Sequence, residues 1–150
     1  MKITNFYQFS ENIASGAQPT VEQIVELQQT GYDAVVNISP ENTRNYLKNE
    51  DEIVENADMK YVHFPVDCSN LQENHYLTFK EILSQFQNSK IFVHCGGNIK
   101  SSNLIHMYNV LELNIDEKES LKMLLEIQNP EQKWFEYFIK FGMKGIQNIN

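Results

Sequence analysis

The sequence predicts an α/β fold of three layers, a central, mostly parallel sheet of about four to five strands flanked by helices. Three observations lead there. Short, nearly continuous β-branched runs stand at residues 34–38, 61–66 and 90–94, as in strands covered on both faces. Stretches with helical apolar spacing and capping residues separate them. No repeat or low-complexity linker breaks the alternation. With 150 residues and 41% hydrophobic content the chain can bury one core, so a single domain over 1–150 is expected.

The elements follow in order. Thr20-Val21-Glu22-Gln23 has the form of a capping box, in which the Thr20 hydroxyl and the Gln23 side chain satisfy orphan amides at a helix start. Ile24, Leu27 and Gln28 continue that helix and Gly31 ends it. The run 34–38 is the next strand. Residues 41–58 are mixed and charged, with only faint helical periodicity. After the strand at 61–66, residues 69–88 read as a helix. Ser69 and Gln72 are its cap, and Leu71, Phe79, Ile82, Leu83 and Phe86 form its apolar side. Strand, helix and strand in this order imply a right-handed crossover. Beyond the strand at 90–94, a helix over 101–113 carries Leu104, Ile105, Tyr108 and Leu111. Asp116 with Glu119 caps a helix over 117–127. Asn129-Pro130 opens a last one through Trp134, Phe138 and Phe141. The group Trp134, Phe135, Tyr137 and Phe138 is assigned to the core rather than to a ligand platform.

Composition excludes several function classes. A formal charge of −8 repels phosphodiester backbones, so nucleic acid is not an expected partner. Cys68 and Cys95 form no C-x-x-C pair, which argues against a secreted disulfide framework and a zinc site and for a reducing compartment. The N-terminus turns polar too early for a signal sequence, and no apolar run has membrane-spanning length. The expectation is a cytoplasmic protein with no membrane partner. His63, His75 and His106 show no metal-ligand spacing, and no metal or cofactor is expected.

One segment carries chemistry: Val93-His94-Cys95-Gly96-Gly97-Asn98-Ile99-Lys100-Ser101-Ser102. A cysteine at the end of a buried strand, then a glycine pair, then a helix start makes an anion site. Amides of residues 96–101 can curl into a nest at the positive end of the helix dipole, and the field that binds a dianion also stabilises a thiolate at Cys95. Gly96 and Gly97 permit unusual dihedrals and close approach, and Asn98 is the non-glycine residue best suited to a left-handed one. The competing reading is a buried, inert thiol.

The segment resembles the signature loop of the protein tyrosine and dual-specificity phosphatase superfamily, a His-Cys pair leading through a short loop to an arginine and a Ser or Thr. Ile13-Ala14-Ser15-Gly16-Ala17-Gln18-Pro19-Thr20, residues 31–38 and residues 61–66 are similar to a bacterial family of small phosphatase-like domains that also occurs fused to a β-lactamase-like hydrolase. Together these stretches cover roughly residues 6–112. The resemblance implies a phosphotyrosine phosphatase-like fold with a loop of the P-loop kind and a phosphorylated small molecule or phosphoprotein as partner. Cys95 would be the nucleophile and Asp67 the general acid, and His94 would orient the loop and lower the cysteine pKa. For Asp67 the plainer role is a turn or cap aspartate; for His94 it is a satisfied strand-end histidine.

The departure is the arginine. Arg44 is the only one in the chain, so the loop has none. With five residues between cysteine and cation, Ser101 takes the cation position and Ser102 the hydroxyl position. With four, Lys100 is the cation and Ser101 follows it, and this register leaves the anion a counter-charge. Lysine binds phosphate as a point charge, without the two-pronged fit of arginine. Losing such a fit costs on the order of 3 to 5 kcal/mol of transition-state stabilisation. Three functions are therefore weighed: a phosphatase with Cys95, Asp67, Lys100 and Ser101 as its reacting and assisting groups and residues 96–102 as its anion loop; a pseudophosphatase that binds a phosphorylated partner; and a rhodanese-like sulfurtransferase. Cys68 is read as a packing residue, with a redox link to Cys95 as the alternative.

Overall fold

A computed structural model describes residues 1–150, and contains β1 (Tyr7–Gln8), β2 (Ile13–Gly16), α1 (Val21–Gln29), β3 (Ala34–Asn37), α2 (Glu50–Asn56), β4 (Lys60–His63), α3 (Glu73–Ser84), β5 (Ile91–His94), α4 (Ile99–Leu111), α5 (Glu117–Ile127) and α6 (Gln132–Lys140). The chain divides into two compact units, residues 1–101 and 102–150, with the boundary inside α4.

The first unit holds a five-stranded sheet in the order β1-β2-β5-β3-β4. All pairings are parallel except β1 with β2. The α/β class and the strand number agree with the sequence reading. β1 and β2 are additions: Ile-Ala-Ser-Gly carries one β-branched residue and gives no strand signal of its own. The register sets Gly16, His94 and Asn37 side by side, with His63 beyond Asn37. This row ends the four parallel strands at one edge, where open α/β sheets place their ligands.

Side-chain alternation along the strands selects the core. Ala14, Phe92 and Val35 share one face with Ile24 and Leu27 of α1, Val54 of α2, and Ile3, Tyr32 and Met59. Each fully buried Val, Leu, Ile or Phe among them contributes about 1.5–3 kcal/mol. A nine-residue helix like α1, marginal alone, is therefore held chiefly by Ile24 and Leu27. Its capping box is present as expected: Thr20 Oγ1 accepts from Gln23 N, and Thr20 N donates to Gln23 Oε1. Gly31 follows at φ +97°. Gly16 is required by packing, since a Cβ there would lie 2.9 Å from Ile3 Cγ2 and 3.0 Å from Phe92 Cζ.

Several boundaries move. The strand expected to Val66 ends at His63, although Phe64 N and Val66 N still donate to Asn37 O and Ile38 O around Pro65. α3 begins at Glu73 with Gln72 as N-cap and His75 closing the box; Ser69 lies three residues before that cap, and its N–H and hydroxyl both donate to Asp67. The faint periodicity of 41–58 condenses into α2 alone. α4 starts at Ile99, two residues before the expected start.

In the second unit, α5 spans 117–127 as expected, and Asp116 accepts from Glu119 N. α6 starts two residues beyond the Asn129-Pro130 signal: Glu131 is its N-cap, and Pro130 stays outside. Trp134, Phe135, Tyr137 and Phe138 are all buried and pair edge to face, Trp134 with Tyr137 at 5.9 Å and Phe135 with Phe138 at 5.6 Å, which confirms their core assignment. The Glu117 carboxylate accepts from Lys144 N, Gly145 N and Ile146 N, tying down the C-terminal segment.

Candidate active site

β5 delivers His94 and Cys95 to the edge where the four parallel strands end, and only residues 95–98 separate it from α4. Cys95 is 1% exposed. Burial alone would suit an inert thiol, but the peptide planes that follow it are each held in a fixed orientation.

The carbonyl oxygens after the strand are engaged one by one. Cys95 O faces His94 Nδ1 at 3.2 Å. Gly96 O accepts from Asn45 Nδ2 at 3.0 Å and from Gln18 N at 3.3 Å. Gly97 O accepts from Asn5 Nδ2 at 3.1 Å. In a trans peptide the C=O and the following N–H point in opposite directions. Fixing these three carbonyls outward therefore turns the N–H groups of Gly96, Gly97 and Asn98 the other way. The Lys100 and Ser101 amides lie in the first turn of α4, where N–H groups have no acceptor within the helix. The result is a set of donors suited to an anion.

The glycine pair acts differently from expectation. Neither Gly96 nor Gly97 has a positive φ; the left-handed residue is Asn98, at φ +74°. Its side chain donates to Asn5 O at 2.7 Å, which returns the Asn5 to Gly97 bond. Gly96 is needed for close approach, because a Cβ there would sit 2.8 Å from Thr43 Cγ2, whereas Gly97 faces open space.

His94 is fully buried. Its Nε2 lies 2.6 Å from Glu50 Oε2, and the other Glu50 oxygen accepts from Gln18 Nε2 at 2.6 Å. Glu50 begins α2 and is itself 2% exposed.

Lys100 Nζ donates to Val66 O at 2.9 Å, so its ammonium lies against the segment that carries Asp67. The exposed Asp67 carboxylate accepts from Ser69 N at 3.0 Å and Ser69 Oγ at 2.7 Å. Those bonds, assisted by the Lys100 charge, hold its pKa below the ordinary carboxylate value. Ser101 Oγ is buried without a hydrogen-bond partner, while Ser102 Oγ accepts from Gln128 Nε2 at 2.6 Å. Cys68 and Cys95 are both free thiols.

The remaining histidines have structural partners. His63 Nε2 bonds Ser39 O, His75 Nδ1 accepts from Gln72 N, and His106 Nδ1 bonds Ser120 Oγ. A separate cavity of about 600 Å³ is lined by Glu41, Tyr46, Lys48, Asn49, Glu50, Asp51, Tyr61 and His63. None of residues 94–102 lines it, so it is not the anion site.

Sequence reasoning missed Asn5, Gln18, Asn45 and Glu50. Gln18 lay within the Ser-Gly-Ala-Gln-Pro-Thr run without a role. Asn5, at φ +55°, Asn45 and Glu50 gave no signal, because their partners are distant in sequence.

The family model described as "DSP-PTPase phosphatase fused to NAD+ kinase" matches residues 7–136; the fusion partner it names is NAD+ kinase, where the sequence resemblance named a β-lactamase-like hydrolase. No curated protein sequence matches the chain. The chain is similar to the solved DUF442 protein of Shewanella putrefaciens CN-32, with a TM-score of 0.83 and 23% identity over 93% of this chain and 90% of that one. It is also similar to Tk-PTP in the active form, with a TM-score of 0.74 and 15% identity over 91% and 95%. A third likeness is to a cysteine-to-serine variant of P. aeruginosa TpbA solved in complex with pTyr, with a TM-score of 0.66 and 16% identity over 80% and 71%. At these identities the structural likenesses establish the fold.

Proposed function

Because the chain belongs to the family of DSP-PTPase phosphatases fused to NAD+ kinase, whose members act on phosphate monoesters, we propose that it is a cysteine-dependent phosphatase with Lys100 in place of the loop arginine. The observation that carries this reading is the fixing of the Cys95, Gly96 and Gly97 carbonyls, which turns the following amides the other way, as an anion site requires. The family match extends across both compact units, in favour of one phosphatase-like domain over 1–150.

The chemistry runs in two steps. The Cys95 thiolate attacks phosphorus in line with the ester oxygen. The S–P bond forms as the P–O bond breaks, and Asp67 gives its proton to the leaving oxygen. Asp67 then takes a proton from water, the water oxygen attacks phosphorus, and the S–P bond breaks to release inorganic phosphate and restore the thiolate. Amides 96–101 and the Lys100 ammonium stabilise the equatorial charge. No metal or other cofactor enters these steps.

The hydroxyls favour the four-residue register. Ser102 Oγ is engaged by Gln128, while Ser101 Oγ has no partner and is buried, a cost of about 1–3 kcal/mol that a bound anion or the thiolate would relieve. The TpbA complex with pTyr makes an aryl phosphate monoester the first substrate to try.

A second reading, a phosphate-binding pseudophosphatase, draws on Lys100 bonded to Val66 O and on Asp67 held in its charged form. Phosphate release from para-nitrophenyl phosphate, abolished by Cys95→Ser, supports the enzyme. Absent turnover with measurable phosphate binding supports the binder, and thiocyanate formation from thiosulfate would transfer the site to sulfur chemistry.

A further inference from the structure

We propose that the groove between α1 and α2 is a docking site for a basic amphipathic helix of a partner protein. No residue of the 94–102 segment lines it, and the proposal stands whether or not the chain turns over phosphate.

The groove has a volume of about 450 Å³. Val21, Val25 and Gln28 of α1 form one wall, and Ile53, Asn56 and Ala57 form the other, with Asp58 beside them. Within each wall the side chains recur three or four positions apart, so each wall is one face of its element. Beneath them Ile24, Leu27 and Val54 are buried in a shared core, which gives both walls a fixed base. Val21 and Val25 are each 42% exposed. Valine is a poorer helix former than Ala, Glu or Lys, so neither burial nor helix propensity accounts for two of them one turn apart. A single exposed hydrophobe needs no explanation, but an apolar row facing a second row marks an interaction surface.

The charges say what covers it. Glu22 and Glu26 each follow a groove valine, Glu52 and Glu55 precede Ile53 and Asn56, and all four are exposed, as is Asp58. Neither helix contains a Lys or Arg; Lys48 and Lys60 flank α2 in sequence. Glu22 and Glu52 stand in first turns, where the helix dipole favours them. Glu55 stands in the last turn of α2, where the dipole opposes it. Glu22 with Glu26, and Asp51 with Glu55, are like charges at i, i+4, which destabilise a helix.

The apolar rows and their acidic border are thus both unfavourable in the chain alone, and one occupant relieves both: a helix with leucine-like side chains on one face and Lys or Arg along its edges, seated as in helix-in-groove recognition. A second copy of this chain, at a formal charge of −8, would set acidic border against acidic border. Anionic membranes and nucleic acid are repelled in the same way.

The test titrates the ¹⁵N-labelled full chain with a synthetic leucine–lysine peptide of about 15 residues, long enough to form a helix on binding, its leucines at i, i+4 and i+7. A peptide of the same composition with the leucines scattered round the helix is the control. Amide shifts are expected along α1 and α2, weakening as salt is raised. The Val21→Ser/Val25→Ser variant, altered only at exposed positions, should bind about tenfold more weakly or less, and Glu26→Lys/Glu55→Lys should also lose affinity while keeping its circular dichroism. Equal affinity for the scattered peptide, shifts centred away from α1 and α2, or an unchanged affinity in the valine variant would overturn the proposal. So would self-association of the chain that the valine variant abolishes, which would give the groove to a second copy, or binding of neutral lipid vesicles without binding of the peptide. Should the valine variant fail to fold, the wild-type shift map and the charge-reversed variant decide.

Discussion

The Lys100 ammonium donates to the carbonyl of Val66 at 2.9 Å, the residue before Asp67, so the cation proposed for the loop is joined to the segment of the candidate acid. On the proposed reading, an entering phosphate shares or takes that ammonium. Lys100→Ala should therefore weaken inorganic phosphate binding by about 10- to 100-fold, as for a lost anion donor, in calorimetric titration. Lys100→Arg should maintain or raise turnover, since the fork can hold phosphate and a carbonyl together. Equal phosphate affinity in the alanine variant would remove Lys100 from the site.

Asp67 must carry a proton to act as acid, yet its bonds from Ser69 and the Lys100 charge depress its pKa. Activity that needs the protonated form falls as pH rises through that value, so the optimum is expected on the acid side of neutrality. Ser69→Ala removes one of the bonds that favour the carboxylate; the Asp67 pKa then rises and the basic limb of the kcat profile moves to higher pH. Asp67→Asn should cost about 10²- to 10⁴-fold with a poor leaving group, and much less with para-nitrophenolate. Equal losses on both substrates would assign Asp67 to the turn alone.

Gly96→Ala places a Cβ 2.8 Å from Thr43 Cγ2 and 3.2 Å from Asn45 Oδ1. Relief of that contact displaces the loop, and overpacking of this kind costs about 1–3 kcal/mol. Phosphate binding should fall with it. Thr43→Ser, which deletes the opposing methyl, should restore part of both losses in the double variant; a thermal melt and a phosphate titration on all four proteins check the coupling.

Glu117 serves three consecutive amides of the C-terminal segment. Glu117→Gln offers one oxygen where two were used, and its amide nitrogen faces donors. The expected cost is about 1.5–3 kcal/mol, the range for bonds to a charged group. It would be read as a lower melting temperature and faster proteolytic trimming after Lys140.

Burial lowers the His106 pKa to about 4, below its unfolded value near 6.5. Between those two values the unfolded chain binds a proton that the folded chain does not, so stability rises with pH across the window and is lost as pH falls from about 6.5 to 4. The full swing is about 3 kcal/mol. Denaturant melts at pH 4.5 and 7 should show wild type losing about 2.4 kcal/mol more stability than His106→Leu over that interval; equal losses would mean that the ring takes up its proton in the fold as readily as in the unfolded chain.

Much of the fold could be read from local signals. Thr20 with Gln23, Asp116 with Glu119, and the β-branched runs each contain their own physics. β2 could not, because Ile-Ala-Ser-Gly is a strand only by virtue of its place between β1 and β5. The start of α3 was legible only in part: Ser69 has a capping residue's chemistry but turns to Asp67 two residues back, and the cap is Gln72. At the site, the Cys95 to Ser102 segment was visible as a strand, loop and helix start. The groups that hold its carbonyls come from positions 5, 18 and 45, and the groups behind His94 from 50 and 18. Hydrogen bonds across such separations leave no periodicity in a sequence.

Asn5 reaches the loop from near the beginning of the chain, with its amide on Gly97 and its carbonyl on Asn98. Asn5 thus forms one wall of the loop proposed to hold phosphate. Deleting the first five residues, or forcing a rigid fusion partner against them, would slacken the cradle while leaving Cys95 and Lys100 untouched, and assays on such material would understate what the full chain can do.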